Sequence, residues 1–178
     1  IQYLSMDDRF SLCNMAIEAG AKNGIVAYDE ITKEFLDTRE SLRAEPKIHY
    51  SDDDAVYCQV IEIDVEKLEP VIAYPFLPSN GHSVSQAVAD NIRVDQVFIG
   101  SCTNGRLSDF KIAAEILKDK KVARHVRLIL TPGTQKILRE ATKAGYIDTL
   151  VDAGAVVSNP TCGACLGGYM GILGDGEV

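Results

Sequence analysis

Apolar and polar positions change rhythm twice along this chain. Near the start, Ser5 with Asp8 three residues later has the form of a helix-opening cap. Phe10, Leu12, Cys13, Ala16 and Ile17 then form a helical stripe that ends at Gly20. Residues 25–28 read as a short buried strand and 30–37 as a second helix. Residues 38–54 are polar and charged, the expected place for a flexible surface connection. Val56, Cys58 and Val60 alternate with polar neighbours, and the alternation resumes one residue out of phase at Ile61, Ile63 and Val65. That slip predicts a bulge or a break between two strands. Leu68, Val71 and Ala73 predict another strand, Pro78 to Gly81 a turn, and residues 83–89 a short helix.

From Val94 the pattern changes. Apolar strands at 97–99, 126–130 and 155–157 alternate with helices at 107–117, 135–144 and 147–153. Short connections between such elements imply parallel strands with crossover helices. The expected class is α/β, a three-layer α/β/α arrangement on a mostly parallel sheet. Residues 1–90 are expected to form part of one α/β domain and 91–178 a second. In parallel sheets, ligands gather beyond the carboxyl ends of the strands. The loops 101–106 and 160–168 both follow such ends.

Composition narrows the class. Of 178 residues, 46% are apolar and 25% charged, as in ordinary globular proteins. No apolar run reaches the roughly 18 residues that a membrane helix needs. The net charge of −8 argues against a nucleic-acid partner, since it repels phosphate backbones. The chain opens on Ile1 with residues that read as a domain interior, so a piece of a longer protein is expected. Five cysteines without a secretory leader argue against a disulfide framework and for a reducing cytoplasm.

The cysteines carry the chemistry. Gly100-Ser101-Cys102-Thr103-Asn104-Gly105-Arg106 is one motif, and Asn159-Pro160-Thr161-Cys162-Gly163-Ala164-Cys165-Leu166-Gly167-Gly168 is the other. A Cys-x-x-Cys puts two thiolates on one small loop, and the sheet edge offers a route to bring Cys102 near. Thiolates suit zinc or an iron–sulfur cluster. Closed zinc sites want four ligands, and His49, His82 and His125 lie far from both motifs in sequence. A fourth ligand from Cys13 or Cys58 stays open, although both read better as buried apolar residues. A thioredoxin-like redox pair would leave residues 101–106 unexplained. Three thiolates on a four-iron cluster leave one iron open to act as a Lewis acid. Asn14 and Glu18 lie one helical turn apart, a spacing that more often marks a solvated pair than a site.

"VFIGSCTNGR" and "PTCGACLG" resemble the two cluster-cysteine motifs of the aconitase superfamily, and "SMDDRFSLCNMAIEAGAK" and "IEIDVEKLEPVIAYP" resemble further family segments. Within the superfamily, "GACLGGYMGILGDGE" is most similar to the large subunits of isopropylmalate dehydratases and archaeal homoaconitases. The resemblance implies an aconitase-like iron–sulfur domain in a hydro-lyase of leucine biosynthesis. The cofactor it implies is a [4Fe-4S] cluster with one open iron, held by Cys102, Cys162 and Cys165. The reaction it implies converts 2-isopropylmalate to 3-isopropylmalate by dehydration and rehydration, with homocitrate or citrate as alternative substrates. A structural zinc or RNA-binding module is the reading from another class.

The resemblance also implies catalytic or positioning roles for Asn14, Glu18, Ser101, Asn104 and Arg106. The partner it implies is a small subunit carrying a swivelling domain with a catalytic serine. The family's histidine and aspartate segments and its later arginine segment have no counterpart in this sequence, so the chain alone is expected to be inactive.

Overall fold

The computed structural model describes residues 1–39 and 46–178. The chain divides into two compact units, Ile1–Ile92 and Arg93–Val178.

In the first unit, α1 (Met6–Asn14) opens with the expected cap. The Asp8 amide donates to Ser5 Oγ at 3.2 Å, and the Ser5 amide donates to Asp8 Oδ2 at 3.1 Å. A 3-10 turn, Met15–Ile17, follows, and α2 spans Glu30–Asp37. The expected apolar stripe is only partly covered, with Phe10, Cys13 and Ala16 half-buried. Leu12 and Ile17 are exposed, and the buried residue is Arg9, 2% accessible. Its guanidinium donates to both Asp29 carboxylate oxygens, at 2.6 and 2.7 Å. Asp29 also accepts from the Thr32 amide at 3.1 Å and so caps α2. Phe10 meets Phe35 edge-on at 5.4 Å between ring centroids. Docking of α1 on α2 therefore joins one aromatic pair to one charge pair.

The short strand β1 (Val71–Ala73) pairs antiparallel with β2 (Gly81–Ser83), and α3 (Val84–Asp90) follows. Ser83 caps α3 by accepting from the Gln86 amide at 3.2 Å. The strands expected at 25–28 and 56–65 are absent among the described residues. Val56 is 96% accessible, and Val60, Ile61, Ile63 and Val65 are exposed. Alternation makes a strand only where a neighbouring strand accepts its ladder and a core takes one face, and neither is found for this segment among the described residues. The expectation of flexibility at 38–54 falls partly on residues outside the described set.

The second unit follows the expected order. β3 (Gln96–Gly100), β4 (Arg127–Thr131) and β5 (Ala155–Val157) form a parallel sheet in the order β3-β4-β5. The one-turn helix α4 (Ser101–Asn104) and then α5 (Leu107–Leu117) follow β3, while α6 (Gln135–Lys143) and α7 (Tyr146–Ala153) link β4 to β5. Helices α5, α6 and α7 pack on one another. Phe110, Ala114, Ala141 and Leu150 close with Leu128 and Leu130 into the core between helices and sheet. Buried alanines at positions 113, 114 and 141 let the helices approach closely.

The class is α/β, as expected. On the sheet face opposite α5, α6 and α7 lies the segment that follows β5. Gly171 lies against Ile129 there, and Gln96 Nε2 donates to the Gly171 carbonyl at 2.6 Å. Arg127 donates to Glu177 at 2.7 and 2.6 Å, so this segment is anchored where β3 and β4 begin.

Candidate metal centre

Cys102 is presented by a backbone turn of unusual shape. Gly100, which ends β3, has φ +135°, and Ser101 has φ +63° with its side chain buried. A Cβ on Gly100 would run into the Thr131 carbonyl, so glycine is required there by both conformation and space. The Ser101 carbonyl accepts from the Gly105 amide at 3.0 Å, which closes the turn. Cys102 is exposed.

Asn104 and Arg106 are both tied to Asp109. Asn104 Nδ2 donates to Asp109 Oδ1 at 3.2 Å, and the Arg106 amide donates to Asp109 Oδ2 at 2.9 Å. Asp109 sits in the first turn of α5, where a carboxylate is favoured by the helix dipole. The Arg106 guanidinium turns back and donates through Nη2 to the Cys102 carbonyl at 3.3 Å. The sequence motifs do not single out Asp109. Its place three residues after Arg106, at the start of an apolar-periodic run, is the available signal.

Cys162 and Cys165 lie on the loop that follows β5. Cys162 precedes the 3-10 turn Gly163–Leu166, and the Cys165 amide donates to the Cys162 carbonyl at 3.1 Å. Gly163 and Gly167 have φ +51° and +76°, conformations that let this loop reverse tightly around the two thiols. Both thiols are exposed.

Between the two cysteine loops stands the end of the central strand. The Ser158 amide donates to the Leu130 carbonyl at 2.8 Å, and the Gly133 amide donates to the Gly105 carbonyl at 2.8 Å. Thr131 and Pro132 are fully buried. Neither residue stands out in the sequence, because a Thr-Pro-Gly turn carries no chemistry of its own.

Asn14 and Glu18 belong to the first unit. Asn14 ends α1 and is half-buried, and Glu18 caps the following 3-10 turn and is exposed. The tighter turn interrupts the α-helical spacing on which their shared face was expected. Cys13 is half-buried, while Cys58 is exposed rather than buried. His49 and His125 are exposed, and His82 stacks on Tyr74 at 4.2 Å.

The donor set suits a thiolate-bound group. None of the five cysteines is in a disulfide, and the three on the edge loops are exposed. Among the described residues, no three His, Cys, Asp or Glu side chains are drawn together closely enough to hold a metal ion. The fit thus rests on ligand chemistry and on placement at one sheet edge, not on a closed coordination shell.

A parallel sheet with exposed thiols on the loops at its carboxyl edge defines the class: an α/β protein with a thiol-bearing edge. The sequence profile of the aconitase family (aconitate hydratase) matches residues 1–93 and 86–178, and the chain belongs to that family. It is 90% identical over its whole length to a 3-isopropylmalate dehydratase large subunit of Aliarcobacter butzleri, of which it covers 43%. It is 75% identical over its whole length to a protein of the same name from Sulfurimonas denitrificans, of which it covers 42%. A third, from Wolinella succinogenes, is 74% identical over 99% of this chain, which covers 42% of that relative. The chain therefore spans less than half the length of these relatives. No helix among the described residues is long and apolar enough to cross a membrane.

Proposed function

We propose that this chain is the cluster-bearing part of a cytoplasmic hydro-lyase that isomerises 2-isopropylmalate to 3-isopropylmalate. The observation that carries the reading is the placement of the Cys102 loop and the Cys162–Cys165 loop beyond the carboxyl ends of one parallel sheet. The names of the similar proteins support the substrate and, through the words "large subunit", a smaller partner subunit. Cys102, Cys162 and Cys165 would hold a [4Fe-4S] cluster with one iron free of protein ligands. When bound, it supplies Lewis acidity at a hydroxyl group.

The remaining roles fall to the chain's own groups. Arg106 brings a positive charge beside the Cys102 backbone, suited to a substrate carboxylate. Ser101 and Asn104 shape the Cys102 turn. By the family resemblance, Asn14 is assigned hydrogen bonding and Glu18 the positioning of the leaving hydroxyl or water.

The test is anaerobic reconstitution of the full-length large subunit with its small subunit. Turnover of isopropylmalate in preference to homoaconitate and citrate is expected, with iron and sulfide bound. Preference for another acid replaces the substrate assignment. Colourless zinc in place of iron removes the cluster reading.

A further inference from the structure

We infer that the loop closing the central strand, Thr131-Pro132-Gly133, is a positioning element for Cys102. The inference rests on the cluster reading above and deepens it. Three contacts carry it. Gly100 lies so close to the Thr131 carbonyl that no Cβ fits. A Cβ on Gly105 would lie 2.7 Å from both the Gly133 nitrogen and the Thr131 carbonyl oxygen. The Gly133 amide donates to the Gly105 carbonyl at 2.8 Å. Gly100 and Gly105 bracket the Cys102 turn, so both of its ends rest on the same neighbouring loop.

That loop is a firm seat. Thr131 and Pro132 are fully buried, proline restricts its own φ, and Thr134 caps α6 by accepting from the Ile137 amide at 3.1 Å. The turn resting on it includes Ser101, a non-glycine residue at φ +63°. Such a conformation persists only where the surroundings over-determine it. The seat acts on Cys102 through the backbone and touches no reacting atom, so Gly133 is a positioning residue rather than a catalytic one.

Gly133 offers a graded probe. A Cβ there would sit 3.2 Å from the Gly105 carbonyl and 3.3 Å from the Ser101 carbonyl, close enough to push the turn by a few tenths of an ångström without forbidding the fold. The experiment uses the full-length, cluster-free large subunit. Iodoacetamide alkylation rates of Cys102, Cys162 and Cys165 are read separately by peptide mass spectrometry. Gly133→Ala is expected to change the Cys102 rate severalfold relative to Cys162 and Cys165. Pro132→Ala, which loosens the seat without adding atoms, carries the same readout and the whole test should Gly133→Ala not fold. Ala141→Gly, in the helical core, is the control: it lowers the melting temperature and leaves the rate ratio unchanged. An unchanged ratio in the folded variants, or cysteine rates that all move together with stability, overturns the inference. Because the protein tested is cluster-free, that result leaves the cluster reading standing. Loss of the cluster reading is instead signalled by reconstituted protein that binds no iron.

Discussion

The Glu177 carboxylate accepts two hydrogen bonds from the Arg127 guanidinium, at 2.7 and 2.6 Å, and so ties the chain leaving the second cysteine loop to the start of the central strand. The Arg127 bonds, and after them the Gly174 amide, lower the Glu177 pKa from 4.5 to about 2. A carboxyl group with a depressed folded pKa stabilises the fold above its unfolded value. The contribution is lost as pH falls through the window from 4.5 to about 2. Glu177→Gln is expected to flatten the dependence of the urea midpoint on pH across that window. The change is expected to be small and salt-sensitive, because the pair is partly solvated. Parallel curves for wild type and variant would sink the assignment.

Arg9 and Asp29 test the first unit. The Asp29 carboxyl is held well below the usual carboxylate range, chiefly by Arg9 and then by the Thr32 amide. The two partners are unequal in their access to water, since Arg9 is 2% exposed and Asp29 is 35% exposed. Asp29→Asn strands a buried guanidinium, whereas Arg9→Met leaves a carboxylate that water can reach. Asp29→Asn is therefore expected to be the more damaging change. Amide hydrogen exchange across α1 and α2 decides it, and the opposite ranking refutes the account.

Leu130 is fully buried between the helices and the sheet. Leu130→Ala is expected to cost roughly 2–5 kcal/mol, the range for large-to-small changes in a packed core. Val156 is half-exposed on the opposite face. Val156→Ala is expected to change stability by less than about 0.5 kcal/mol, as for surface substitutions. Urea unfolding monitored by circular dichroism measures both.

Two glycines separate conformational strain from collision. Gly167 has φ +76° and open space around its missing side chain, so Gly167→Ala is expected to cost about 1–2 kcal/mol of left-handed strain. Gly100→Ala adds a backbone collision to that strain and is expected to prevent correct packing of β3 on β4. Equal expression and equal melting of the two variants would contradict the geometry.

Ligand assignment is tested cysteine by cysteine. Cys102→Ser, Cys162→Ser and Cys165→Ser are each expected to lose iron and visible absorbance after anaerobic reconstitution. Cys13→Ser and Cys58→Ser are expected to retain both. Iron and sulfide assays on the purified chains provide the measurement, and retention by any of the first three removes that residue from the ligand set.

Several features are legible in the order of residues alone. Ser5 and Asp8 announce α1 because a capping box is a contact between near neighbours. The parallel order of β3, β4 and β5 follows from apolar strands alternating with periodic helices across short connections. The carboxyl-edge position of Cys102, Cys162 and Cys165 follows in turn, because each loop leaves the end of a strand. These are local patterns, in which each residue's environment is set by neighbours a few positions away.

Other features come from contacts between distant parts of the chain. Arg9 is a poor core residue until Asp29, twenty positions away, supplies its counter-charge. Val56 to Val65 alternate like a strand yet find no ladder among the described residues, because alternation states a preference and only a partner can satisfy it. The support beneath Cys102 is the clearest case. Which thiols stand at the sheet edge can be read from the two motifs and the strands that precede them. How Cys102 is held there depends on the packing of Gly100 and Gly105 against Thr131 and Gly133, and backbone contacts between distant loops leave no periodic trace in the chain.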